Sequence, residues 1–117
     1  MMKRIEARIK KSLLVDISKN GLEQMGVTVN ISRRGMCIAT TEIFRRRSKL
    51  QILLAAADDI YAIKGKVIWH MRKRSEGNDN VPVGMGIRIE HAVPGYYKYI
   101  SAIKKQSPPA IKSRSGY

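Results

Sequence analysis

The sequence predicts a mainly β domain: a small antiparallel barrel with one C-terminal helix. Three observations carry this. Alternation with period two runs through residues 25–31 and again through 60–71. Polar or glycine-bearing turns separate five or six short runs of this kind. After Pro94, Tyr96, Ile100 and Ile103 stand at i, i+4 and i+7, an apolar stripe at helical spacing.

Taken in order, residues 1–11 are basic and follow neither period, so they read as a flexible arm. Arg4 and Arg8 share a face if the arm is helical. If it is extended they lie about 13–14 Å apart. Residues 12–17 are the first strand, and Lys19-Asn20-Gly21 is a turn. In 25–31, Met25, Val27, Val29 and Ile31 read as the core face, with Gly26, Thr28 and Asn30 opposite. A tight polar turn follows, then a strand over 36–40. Residues 44–49 form a basic loop, 50–55 a short strand, and Asp58-Asp59 a turn. In 60–71, Ala62, Lys64, Lys66 and Ile68 alternate with Ile63, Gly65, Val67 and Trp69, and Gly65 suggests a bulge. Residues 73–80 read as a polar hairpin loop and 81–90 as the returning strand. Gly84 and Gly86 are not a dinucleotide fingerprint, because no third glycine and no helix follow. Pro94 opens the helix, Lys104 and Lys105 suit its C-terminal dipole, and Ser107-Pro108-Pro109 ends it. The expected organisation is arm 1–11, barrel and helix 12–106, and a disordered basic tail 107–117.

A chain of 117 residues is one domain by length. An apolar content of 44% argues against wholesale disorder. Cys37 is the single cysteine, so there is no internal disulfide, and with only His70 and His91 it does not make a zinc site. The longest apolar run, 52–57, is far below the ~20 residues of a membrane span. A cytoplasmic protein without a transmembrane segment is expected. The net charge of +14 favours a polyanionic partner without choosing among nucleotide, nucleic acid, lipid and acidic protein.

Catalysis is not expected. The nine acidic residues are scattered, the histidines stand on separate elements, and Cys37 reads as a small core-edge residue. No cofactor or metal is implied. Binding is better supplied. In Asn30-Ile31-Ser32-Arg33-Arg34-Gly35, an amide, a hydroxyl and a glycine share one turn with two arginines. Arginine forks match guanine O6 and N7, guanidinium planes stack on bases, and phosphates accept from arginine and serine. Two readings stay open for the turn alone: Asn30 and Ser32 cap it and Gly35 ends it, or they line a site. Arg33 and Arg34 either touch phosphate or face solvent.

Arg4-Ile5-Glu6-Ala7-Arg8 followed by Asn30-x-Ser32-x-x-Gly35 resembles the paired signature of the PilZ domain family, Arg-x-x-x-Arg and (Asp/Asn)-x-Ser-x-x-Gly. Gly65-Lys66-Val67-Ile68-Trp69 and Gly84-Met85-Gly86-Ile87-Arg88-Ile89 look like two later strands of that family. The resemblance spans roughly residues 3–105. It implies a six-stranded antiparallel barrel with a C-terminal helix, and a receptor for cyclic di-GMP that signals through an unnamed protein partner. It also implies that Arg4 and Arg8 grip the ligand while Asn30, Ser32 and Gly35 form the barrel side of the pocket. Lys3, Arg33 and Arg34 are further candidates. Asn30 stands where many members have Asp. The competing expectations are a basic nucleic-acid-binding barrel and a ligand-silent adaptor of the same fold.

Overall fold

The structure, a computed structural model, describes residues 8–75 and 78–106. Seven strands precede one helix: β1 (Ile9–Lys10), β2 (Leu14–Lys19), β3 (Leu22–Ile31), β4 (Gly35–Ala39), β5 (Lys49–Ala56), β6 (Asp59–Ser75), β7 (Asn78–Ala92) and α1 (Pro94–Gln106). Their order is β1-β3-β2-β5-β6-β7-β4, and β4 also pairs with β3. Six antiparallel strands therefore close a barrel, and β1 adds to β3 at Ile31 and Asn30. Closure removes the open edges that would otherwise recruit other chains.

The core is aliphatic: Val15, Ile17, Ile31, Met36, Ile38, Leu50, Ile52, Leu54, Ile63, Val67, Met85 and Ile87 are all buried. Helix α1 adds Tyr96, Ile100 and Ile103 to it, the stripe seen in the sequence. Burying each such side chain contributes about 1.5–3 kcal/mol. The Tyr61 and Tyr99 rings, 5.8 Å apart, hold the outer side of the helix against β6.

Three readings need correction. The first concerns β3, where Met25, Val27 and Val29 are 54%, 41% and 40% exposed, while Gly26 and Thr28 face inward. Gly26 is inward because the strands close tightly there: a Cβ on it would lie 2.8 Å from Ile38 Cγ2. The register then shifts between Thr28 and Asn30. That bulge reverses the phase, so Ile31 returns to the core and Asn30 points outward. Asn30 thus has its expected orientation for another reason. The second concerns 73–80, where no loop interrupts the backbone over 78–80: β6 reaches Ser75 and β7 starts at Asn78. At 17 and 15 residues these strands are long, and four register shifts let the ribbon coil around the barrel. The third concerns strand ends: β2, β3 and β5 extend beyond the expected 12–17, 25–31 and 50–55. Residues 1–7 and 107–117, most of the expected arm and the whole expected tail, lie outside the described residues. Ile9–Lys10, within the expected arm, is a strand.

Thr28 fastens that arm to the barrel. Its buried hydroxyl donates to the Lys11 carbonyl and accepts from the Leu13 N–H at 2.9 Å. Its own N–H donates to the Leu13 carbonyl at 2.9 Å. Thr28→Val keeps the shape and strands two backbone groups. We expect a loss of about 1–3 kcal/mol, read in thermal denaturation as a Tm lower by about 4–10 °C. An unchanged Tm would show that this anchor contributes nothing.

Candidate functional site

The turn between β3 and β4 is built around Ser32, which is 1% exposed. Its Oγ accepts from the Gly35 N–H at 3.1 Å and the Arg34 N–H at 3.3 Å, and donates to the Gly35 carbonyl at 3.1 Å. The Ser32 N–H also donates to that carbonyl, at 2.9 Å. A hydroxyl has one donor and two acceptor positions, so the turn uses all of them. Gly35 is fixed by proximity: a Cβ there would lie 2.6 Å from the Ile87 carbonyl oxygen. Its φ is not in the left-handed region. Glycine is required because β4 approaches β7 closely, and Gly35 pairs with Arg88 across that contact.

Helix α1 holds the same turn from the side. The buried Tyr96 hydroxyl donates to the Ser32 carbonyl at 2.6 Å, across 64 positions of sequence. The Arg33 guanidinium lies 5.0 Å from the Tyr97 ring centroid, a cation–π contact. Arg34 is exposed, and its carbonyl accepts from the Ile89 N–H at 2.7 Å.

Arg8 and Asn30 meet. Arg8 Nη1 donates to Asn30 Oδ1 at 2.8 Å, and lies 4.0 Å from Cys37 Sγ. The pairing of Ile9 with Ile31 and Lys10 with Asn30 aligns the arm for this contact. Among the described residues Arg8 makes no further hydrogen bond, and it is exposed. Most of its five-donor fork is thus available. Arg4 and Lys3 lie outside the described residues.

Two residues of this face were not singled out from the sequence as site residues. Asn30 pairs with Cys37, Cys37 with Gly86 and Gly86 with Trp69, giving one row across β3, β4, β7 and β6. Met36 and Ile38 point into the core, so Cys37 between them points outward, where Arg8 lies over it. The Trp69 ring covers Gly86: a Cβ there would fall 2.1 Å from the indole. Trp69 is itself 38% exposed. An arginine fork, an amide, a thiol and an indole therefore share one outward surface. Only the register reveals this, because the four residues are spread from the N-terminal arm to β6. Among the described residues, no cluster of three His, Cys, Asp or Glu side chains could hold a metal ion. No described helix is long and apolar enough to cross a membrane.

The barrel with its C-terminal helix is matched by known proteins. The family model of the PilZ domain matches residues 2–100. The chain belongs to the PilZ domain family. Two solved structures share its fold. One is the Bacillus subtilis inhibitor of motility MotI/DgrA, with TM-score 0.70 and 16% identity over 97% of this chain. This chain spans 55% of that protein. The other is the PilZ domain of YcgR from Escherichia coli with c-di-GMP, with TM-score 0.66 and 12% identity over 90% of this chain and 91% of that one. No curated protein sequence matches the chain.

Tyr96→Phe removes the hydroxyl that holds the Ser32 carbonyl and keeps the buried ring. We expect it to cost about 0.5–1.5 kcal/mol and to speed amide exchange at Arg34 and Gly35 selectively. Uniform exchange over the whole barrel would show that Tyr96 does not hold the turn.

Proposed function

We propose that this chain is a receptor for cyclic di-GMP, bound between the arginine arm and the Asn30–Gly35 turn. The observation that carries the reading is the Arg8–Asn30 hydrogen bond, 2.8 Å long and spanning 22 positions. It joins the two halves of the paired signature at one surface, and the family membership and the ligand of the YcgR domain support the choice of dinucleotide.

In this reading Asn30 orients the Arg8 plane and keeps a lone pair for a guanine N–H. Arg8 stacks on one base and offers its remaining N–H groups to a guanine edge or a phosphate. Trp69 supplies a second stacking face over the flat floor of Gly86. Arg4, Lys3, Arg33 and Arg34 supply cations for the two phosphates. Ser32 and Gly35 act by shaping the wall, since the Ser32 hydroxyl is committed to its turn. Ordering an arm costs roughly 1–2 kcal/mol per residue. Pairing of Ile9–Lys10 with β3 spares that cost for the residues next to Arg8.

The output is a surface, not a reaction. Arg33 and Ser32 touch Tyr97 and Tyr96 of α1, so a ligand that draws Arg33 toward phosphate exposes the Tyr97 ring. Releasing such a contact changes the balance by about 0.5–1 kcal/mol. A protein partner that reads the α1 face would sense it. The receptor works in the cytoplasm, where the dinucleotide is made.

Calorimetric titration with cyclic di-GMP tests this. Arg8→Ala and Asn30→Ala are each expected to weaken binding at least about tenfold, or 1.4 kcal/mol. Arg46→Ala should leave it unchanged. Equal heats in all four proteins would reject the site. Trp69 is the chain's single tryptophan. Its emission is expected to change saturably in the same titration. Constant emission with full heats would remove Trp69 from the pocket.

A further inference from the structure

A second cationic feature borders the Arg8–Asn30 surface. An open cleft of about 600 Å³ is lined by Arg45, Arg46, Arg47, Lys66, Val67, Ile68 and Arg88. Five of these seven residues are cations and none is acidic. Among the described residues none of the five takes part in an ion pair. The only ion pair there joins Lys49 to Glu90, at 3.7 Å.

The sheet register makes the crowding specific. Lys49 pairs with Lys66, and Lys66 with Arg88. Glu90 offsets Lys49, and Lys66 and Arg88 are left as like charges directly opposite one another, an arrangement that is destabilising without counter-charge. The arginine triplet faces them from a rigid turn. The Arg47 N–H donates to the Val67 carbonyl at 2.7 Å, the Val67 N–H to Ser48 at 2.9 Å, and the Ser48 N–H to Arg45 at 3.1 Å. Arg47 has φ of 76°, the left-handed region. Glycine would sit there without strain, whereas arginine is strained.

We infer that the cleft between the Arg45–Arg47 turn and the Lys66–Arg88 pair binds the phosphodiester backbone of a nucleic acid, without reading its bases. Cross-strand neighbours stand side by side, so Lys66 and Arg88 offer adjacent positive charges to a chain of phosphates. Arginine forks match phosphate oxygens bidentately. No aromatic ring lines the cleft, so it has no platform for base stacking. Its concavity suits a strand better than a flat bilayer. The cleft adjoins the proposed dinucleotide pocket, since Arg88 pairs with Gly35 and the pocket floor is the next outward row, Asn30–Cys37–Gly86–Trp69, but it shares none of that row's residues.

The test is fluorescence anisotropy of labelled mixed-sequence single strands of about 16 nucleotides, at salt from about 50 to 200 mM. The full-length chain is compared with Lys66→Glu/Arg88→Glu, Arg46→Glu and Arg8→Ala. Thermal melts confirm folding, and Arg46→Glu on the surface turn serves if the double variant does not fold. Wild type is expected to bind two unrelated sequences equally, with a log–log salt slope of up to about −3.5, or −0.7 per neutralised phosphate. The double variant should bind at least tenfold more weakly, its slope flatter by about 1.4. Arg8→Ala should bind the strand as wild type does, although it fails in the dinucleotide titration. Strand binding that falls with Arg8→Ala, or that survives the charge reversals, would overturn the inference. So would equal affinity for tripolyphosphate or for poly-glutamate of matched charge.

Discussion

Ser32 is buried, and its Oγ exchanges hydrogen bonds with Arg34 and Gly35 of its own turn. That closed set fixes how β3 passes to β4, and the rest of the face follows from it. Gly35 can then run against the Ile87 carbonyl, where no side chain would fit. Its pairing with Arg88 sets the register of β4 on β7, which places Cys37 and Gly86 in line with Asn30. A buried hydroxyl whose partners are lost leaves them unsatisfied at about 1–3 kcal/mol, so the turn has little freedom to drift. The same turn is gripped at its carbonyl by Tyr96 and at Arg33 by Tyr97. It is therefore the meeting point of arm, barrel and helix.

This geometry separates two roles that the motif combines. Asn30 and Arg8 present polar atoms outward and are suited to recognition. Ser32 and Gly35 build the platform and are suited to precision. In the proposed receptor the platform is also the transmitter, because α1 reads the turn through two aromatic side chains of one helical turn. The +14 charge is likewise not one property. Part of it surrounds the candidate pocket, part lines a separate cleft, and part is spread over exposed positions.

The fold was legible because its signals are local. Alternation marked the strands, and Pro94 with the Tyr96–Ile100–Ile103 stripe marked the helix. The inward face of β3 was not legible. Met25, Val27 and Val29 are more apolar than Gly26 and Thr28, yet the tight approach of β4 leaves room only for the smaller pair. A bulge then reverses the phase before Ile31, and no residue type announces it. The polar run over 73–80 resembled a loop because strand composition says little where a long ribbon projects beyond the core. For the candidate site, the resemblance to the paired signature pointed to Arg8 and Asn30, which the structure brings into contact. Cys37 and Trp69 required the register, since only strand pairing brings them into one row with Asn30 and Gly86. Nothing in the sequence marked Arg33 as the partner of Tyr97.

The central claim is that cyclic di-GMP closes the arm onto the Ser32 turn and that α1 senses it. Two-dimensional amide and indole NMR during a dinucleotide titration addresses it residue by residue. Shifts are predicted at Arg8, Asn30 to Gly35, Cys37, Gly86 and the Trp69 indole, with smaller ones at Tyr96 and Tyr97. Arg45 to Arg47 should stay still. Shifts confined to that arginine turn, or none at Asn30 and Arg8, would contradict the account.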